Sequence, residues 1–323
     1  MTATVFIDGE AGTTGLQIRA RLEARHDVSL LSLNDTDRKD AGCRRDMLNT
    51  ADLSILCLPD DAAREAIAMI ENPAAKVIDA STAHRTAEGW VYGAPEYDKD
   101  QPALIAAATR VTNPGCYANG AIAILHPLVE IGMVPADWPV TINAISGYSG
   151  GGKQMIMSFE DRTAETFTED AFRVYGLSLE HKHVPEIQRW SGLTVRPLLV
   201  PSVGRFRQGM IVQVPMHLSA FPGAPSSSDI HAALSSHYAG RRFVRVAPLA
   251  ETQTMTGLQP EFLNETNELR LHVFGNDQHG QVVVMAVLDN LGKGASGQAV
   301  QNMNIMLGFA EESGLEPATS RVA

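Results

Sequence analysis

The sequence is short of cysteine, of long apolar runs and of positive charge, and each shortage removes a class of protein. Its three cysteines, Cys43, Cys57 and Cys116, are an odd number with no C-x-x-C spacing. A disulfide framework and a cysteine-built zinc site are both excluded on that ground, and no metal site is predicted. No apolar run approaches the roughly 20 residues that span a bilayer. The opening MTATVFIDGEAG has neither the basic start nor the apolar stretch of a secretory signal, so a cytoplasmic location is expected. Lys and Arg number 26 against 37 Asp and Glu, a net charge of −11. That balance excludes nucleic acid and anionic membrane surfaces as main partners, while leaving room for a local basic pocket.

What the chain does have is enough apolar residue, 44% of 323, to bury two cores of ordinary size. Its first 115 residues alternate short apolar strands with helical patterns. Strand candidates are Thr4–Ile7, Val28–Leu33, Leu53–Leu58, Lys76–Ala80 and, more weakly, the alanine-rich Ala103–Ala108. Helical patterns run from Leu16 to about Ala24 and over Asp61–Ile70. This alternation predicts a parallel sheet with crossover helices. After residue 116 the strands lengthen and approach strict alternation: Val140–Ser146, Arg196–Val203, Gly209–Leu218, Leu269–Asn276 and Gln281–Asp289. They predict a mostly antiparallel sheet in an α+β second domain, with helices over Asp229–Tyr238 and about Gly297–Glu312.

The first strand runs into Gly9, Gly12 and Gly15, with Thr13 and Thr14 between the last two. A strand, a glycine turn and a helix in that order let backbone approach a pyrophosphate and aim helix N–H groups at it. The nucleotide is distinguished after the second strand. There Ser32, Arg38 and Lys39 suit a 2′-phosphate, and Asp35 or Asp37 a 2′-hydroxyl. The reading leans to NADP.

Thr112-Asn113-Pro114-Gly115-Cys116 is a tight turn followed by helix-compatible residues, which sets Cys116 at a helix N-terminus. The dipole there favours a thiolate and an oxyanion beside it. Cys57 sits in an apolar strand and reads as a core residue, and Cys43 as a surface residue. A thiolate mechanism needs a proton carrier, and His181-Lys182-His183-Val184-Pro185-Glu186 sets two histidines beside a carboxylate.

With these residues in place, the chain resembles the N-acetyl-gamma-glutamyl-phosphate reductases of arginine biosynthesis, in the shorter of their two types. The resemblance spans essentially the whole chain. It is carried by GEAGTTG at 9–15, LPDDAA at 58–63, DASTAHR at 79–85, NPGCYANG at 113–120, SGYSGGGK at 146–153, HKHVPEI at 181–187, PSVGRFRQGM at 201–210 and DNLGKGASGQAVQNMN at 289–304. It implies an α/β fold: a Rossmann domain of residues 1–115 with 291–323, and a glyceraldehyde-phosphate-dehydrogenase-like catalytic and dimerisation domain of 116–290. It also implies NADP(H), Cys116 as nucleophile, small acyl-phosphate, semialdehyde and phosphate ligands, and a homodimer or homotetramer.

Under the resemblance His183, with His181 second, is the base. Glu186 orients the imidazole or meets substrate, and Asn113 joins the helix as an oxyanion donor. Pro59, Ser81, Gly150, Asn290 and Lys293 are expected at the cofactor with the glycine turn. Arg85, Arg110, Ser146, Ser149, Arg205 and Arg207 are candidates for the anionic substrate, with Gln208 standing where the longer-type enzymes tend to carry Arg. Rival readings are a reductase of a related acyl phosphate, aspartyl or amino-adipyl, and a non-catalytic NADP-binding regulatory protein.

Overall fold

A computed structural model describes residues 2–315. Residues 316–323, which the sequence reading joins to the first domain, lie outside the described residues. The chain divides into two compact units. Among the described residues the first takes those up to Pro95, then Lys99–Gly115, and 295–315; the second takes Glu96–Asp98 and Cys116–Gly294.

In the first unit, β1 (Ala3–Asp8) is followed by α1 (Thr13–Leu22), β2 (Val28–Leu31), α2 (Ala41–Thr50), β3 (Leu53–Leu56), α3 (Asp60–Ala68), β4 (Lys76–Asp79), β5 (Val91–Tyr92), α4 (Gln101–Ala107) and β6 (Arg110–Thr112). The strands form one parallel sheet in the order β2-β1-β3-β4-β6-β5. Val5, Phe6 and Ile7 are buried on both faces of β1, the signature of a central parallel strand. From β1 the chain winds one way to β2 and the other way to β3. Their carboxyl ends therefore open the crevice in which α/β sheets bind ligands.

Ala103–Ala108 is not a strand. Asp100 precedes it and Pro102 sits in the first turn, so the alanines, strong helix formers, continue as α4.

The second unit holds α5 (Cys116–Glu130), β7 (Thr141–Gly147), α6 (Gly152–Glu160), β8 (Phe172–Val174), α7 (Val184–Ser191), β9 (Leu198–Gly204), β10 (Met210–His217), α8 (Ser227–His237), β11 (Val244–Val246), α9 (Leu249–Thr252), β12 (Leu269–Asn276) and β13 (Gln281–Leu288). Its seven-stranded sheet runs β11-β12-β13-β10-β7-β9-β8. The sheet is mixed: β7 and β9 pair in parallel, as do β11 and β12. The long crossover from β7 to β9, carrying α6 and α7, makes the first of these possible.

Helix α5 is buried from Tyr117 to Leu128 and packs on α7, α8, β10 and β13. It approaches the sheet closely at Gly120, where an added Cβ would stand 2.8 Å from Val212 Cγ2. The stretch after β7 is a 3-10 turn running into α6. Its glycines serve close approach instead of length. A Cβ on Gly147 would fall 2.6 Å from the Arg207 carbonyl oxygen, and one on Gly151 2.5 Å from Met155 sulfur. Finally α10 (Gly297–Leu307) returns to the first unit and packs on α1, α4 and β4. Among the described residues no helix is long and apolar enough to cross a membrane.

Candidate active site

Cys116 is the first residue of α5, so the positive end of the helix dipole falls at its sulfur. It lines a cavity of about 350 Å³ within the second unit, together with Tyr117, Ser146, Gly150, Met155, Tyr175, His181, Lys182 and His183. The other two thiols differ in surroundings. Burial, with Asp79 and Asp8 nearby, pushes Cys57 up to about 12. The hydrogen bond to Asp40 raises Cys43.

The two histidines reach this wall through the start of α7. His183 occupies the N-cap position, where Pro185 in the first turn begins the helix. It is buried, and its backbone N–H donates to His181 Nδ1 at 3.2 Å. Their rings lie 4.8 Å apart. Tyr117 meets both edge-on, at 5.6 Å from His181 and 5.8 Å from His183. The Tyr175 hydroxyl donates to that of Tyr117 at 2.9 Å, and Tyr117 donates to the Ser202 carbonyl at 3.1 Å. Burial raises the pKa of both phenols, so this relay stays neutral and orders the imidazole side of the cavity. Glu186 is buried on α7 one turn beyond.

Of the expected substrate residues, Ser146 lines the cavity and donates to the Gly147 carbonyl at 3.0 Å. Ser149 accepts from Asn290 Nδ2 at 3.0 Å, and Asn290 Oδ1 accepts the Gly209 N–H at 2.7 Å. The pair braces the Gly-rich turn. The arginines point elsewhere. Arg205 donates to the carbonyls of Asp170 and Thr168 and lies over the Phe159 ring. Arg207 pairs with Glu160 at 2.5 Å. In the first unit Arg85 donates to the Ala80 carbonyl, and Arg110 to those of Ala75 and Thr109.

The Asn113 amide donates to Ala295 O and accepts from Asn302 Nδ2, which braces its loop. One further expectation is corrected. Lys293, expected at the cofactor, is fully buried, and its ammonium meets both Glu96 oxygens at 2.8 and 2.9 Å; its charge is answered inside the protein. The cavity side chains given no role in the sequence reading are Tyr117, Met155, Tyr175, Lys182 and Val203. Lys182 carried a signal, standing between the two histidines; Tyr175 and Met155 carried none.

The first unit has its own pocket, about 320 Å³, at the carboxyl ends of β1 and β3. Gly9, Glu10, Ala11, Leu33, Arg38, Lys39 and Arg44 are among its lining residues. Gly9 has φ +89°, and a Cβ there would fall 2.4 Å from the Cys57 carbonyl oxygen. A Cβ on Gly15 would fall 2.6 Å from Gly9 O. Gly12 is the N-cap of α1, with Thr13 and Thr14 in its first turn. This backbone has no room for side chains and presents a helix N-terminus, which fits a dinucleotide pyrophosphate. Ser32 is engaged, accepting from Arg19 and donating to Glu10. Pro59 is the N-cap of α3, and Ser81 turns back to Asp79 at the end of β4.

Comparison with known proteins agrees with this geometry. The family model described as semialdehyde dehydrogenase, NAD binding domain, matches residues 4–105, and the semialdehyde dehydrogenase dimerisation domain matches 116–290. Among solved structures, aspartate semialdehyde dehydrogenase II of Vibrio cholerae complexed with ASA superposes with TM-score 0.69 at 14% identity, covering 95% of this chain and 99% of that one. The Candida albicans enzyme with NADP gives TM-score 0.64 at 12% identity over 95% and 99%. Fold and family models thus define the class, the semialdehyde dehydrogenases.

Closer relatives narrow it. N-acetyl-gamma-glutamyl-phosphate reductase 2 of Pseudomonas putida is 53% identical over 97% of this chain and 99% of its own length. The Burkholderia lata N-acetyl-gamma-glutamyl-phosphate reductase is 54% identical over 95% and 97%. The chain belongs to the N-acetyl-gamma-glutamyl-phosphate reductase family.

Proposed function

We propose that the protein reduces N-acetyl-glutamyl 5-phosphate with NADPH to N-acetyl-glutamate 5-semialdehyde and phosphate, the arginine-biosynthesis reaction its relatives are named for. The observation that carries the reading is Cys116 at the start of α5, in a cavity whose wall holds His181 and His183. The Cys116 thiolate attacks the acyl-phosphate carbonyl, the C–O bond to phosphate breaks, and a thioester forms on Sγ. The dipole of α5 stabilises the oxyanion that precedes departure. A bound NADPH would supply the hydride, which the thioester carbon accepts. The thiohemiacetal left on Cys116 loses its hydroxyl proton to His183, with His181 as neighbour, and the C–S bond breaks to release aldehyde and thiolate.

Lys182 offers a cation to the substrate carboxylate. Among the described lining residues no Asp or Glu faces the cavity to hold a free α-ammonium, which favours an N-acylated substrate over aspartyl phosphate. Gly9, Gly12, Gly15 and the start of α1 would hold the pyrophosphate, and Arg38 and Lys39 the 2′-phosphate. This makes the first unit the cofactor domain and the second the catalytic and dimerisation domain. The reading carries with it a cytosolic homodimer or homotetramer. The half-buried sheet residues Val200, Val283 and Met285 and the exposed Leu198 support a partner-facing surface.

The test is phosphate-dependent NADP reduction. N-acetyl-glutamate semialdehyde is expected to react and aspartate semialdehyde to fail; the reverse preference overturns the substrate. Cys116→Ser is expected to lower turnover by about 10³-fold or more, and near-normal turnover overturns the thioester route.

A further inference from the structure

A second group of chemistry-bearing side chains lies apart from the cysteine cavity. Asp98, His126 and His237 each bring one ligand atom to within 4.8 Å of the others. They come from three places: the Glu96–Asp98 segment, α5 and the last residue of α8. His126 Nε2 is 2.8 Å from Asp98 Oδ1, and 3.9 Å from the carboxylate of Glu130 one helical turn on. The ring of Tyr97 stacks on His126 at 3.8 Å and fixes its plane. His237 Nε2 lies 2.9 Å from the Tyr97 carbonyl, so this nitrogen carries its proton and Nδ1 keeps a lone pair. A backbone carbonyl holding the remote N–H is how ligating histidines are set in metal sites.

We propose that His126, His237, Asp98 and Glu130 form a binding site for a divalent transition-metal ion of the zinc type, which pins the Glu96–Asp98 segment to α5 and α8. Two imidazoles and two carboxylates are a donor set that selects a first-row transition ion over magnesium or calcium. Bonds of about 2.0–2.2 Å at the tetrahedral angle set donor atoms about 3.4 Å apart. The 2.8 Å pair must open slightly and the wider separations close, movements within reach of side-chain rotation. On binding, the His126 proton moves to Nδ1, its Nε2 lone pair takes the metal, and Asp98 exchanges a hydrogen bond for a metal bond. Glu130 and Asp98 are partly exposed, which gives the ion an entry path. Arg241 donates to the Asp98 carbonyl at 2.6 Å and holds the main chain of the segment in place.

The test is titration of Co(II), then Zn(II), into the full-length Cys116→Ser protein, a background that removes the thiolate as a rival ligand. One equivalent of Co(II) is expected to bind with the visible bands of a four-coordinate ion, and Zn(II) to displace it. His237→Ala, and the conservative surface change Glu130→Gln, are each expected to weaken binding by about tenfold or more. Absence of saturable binding overturns the proposal, as does a six-coordinate spectrum or an affinity that neither variant moves. The outcome is read without the reductase assay, so it stands or falls apart from the proposed reaction.

Discussion

Replacing Glu96 by Gln tests the internal use of Lys293. The ammonium is fully buried, meets both carboxylate oxygens at 2.8 and 2.9 Å, and lies 5.7 Å from the centre of the Phe243 ring. Taking away the carboxylate strands a cation where water cannot reach it. Breaking a buried pair from one side costs about 3–5 kcal/mol. At about 2–4 °C per kcal/mol for a unit of this size, the melting temperature falls by roughly 6–20 °C. The double change Glu96→Leu with Lys293→Met removes both charges and is expected to recover most of that loss. Lys293→Met alone leaves a buried carboxylate without its cation and is expected to be less stable than the double variant. Urea midpoints at several pH values, followed by the fluorescence of Trp138 and Trp190, measure all three. The reasoning fails if Glu96→Gln costs under about 1 kcal/mol, or if the double variant is no more stable than the single one.

Gly9→Ala is expected to weaken NADP binding in a fluorescence titration by about tenfold or more, since the new Cβ meets a main-chain oxygen at 2.4 Å and the residue has φ +89°; unchanged affinity would remove the glycine turn from the cofactor site. Gly120→Leu forces side-chain atoms against Val212 and should cost about 1–3 kcal/mol in urea denaturation, whereas an unshifted midpoint would contradict the close helix-to-sheet packing. Burial depresses His272 to about 4, below its unfolded value. Protonation therefore favours the unfolded chain, and about 3 kcal/mol of stability disappears as pH falls from about 6.5 to 4. His272→Leu should flatten that part of the pH profile, and a variant with the parent's slope would show that another group controls it.

Sequence reading succeeded where the physics is local. A strand entering three glycines and then a helix is one continuous stretch, as is the turn that sets Cys116 at the head of α5. It failed where meaning depends on partners far along the chain. One further miss was local, since the alanines of α4 fit strand and helix alike until the adjacent Asp100 and Pro102 are weighed. Gly147 gave no sign of its role, because the Arg207 carbonyl it admits is about sixty residues away. Lys293 was read as a cofactor residue because its partner, Glu96, lies 197 positions earlier. Tyr175 sits among exposed residues after β8, and nothing near it in sequence announces its bond to Tyr117.

The interleaving of the two units bears on synthesis. A nascent chain emerges from its amino end, yet the first unit needs the segment from Ala295 onward, including α10, to cover α4 and β4. Among the described residues the second unit takes nothing beyond Gly294. The part of the protein made first is therefore finished last, and the later part can close while its predecessor still waits on the ribosome. Among the described residues, stop codons or stalls before α10 should yield chains with a folded second unit and an open first one, an asymmetry that proteolysis of truncated translation products would reveal.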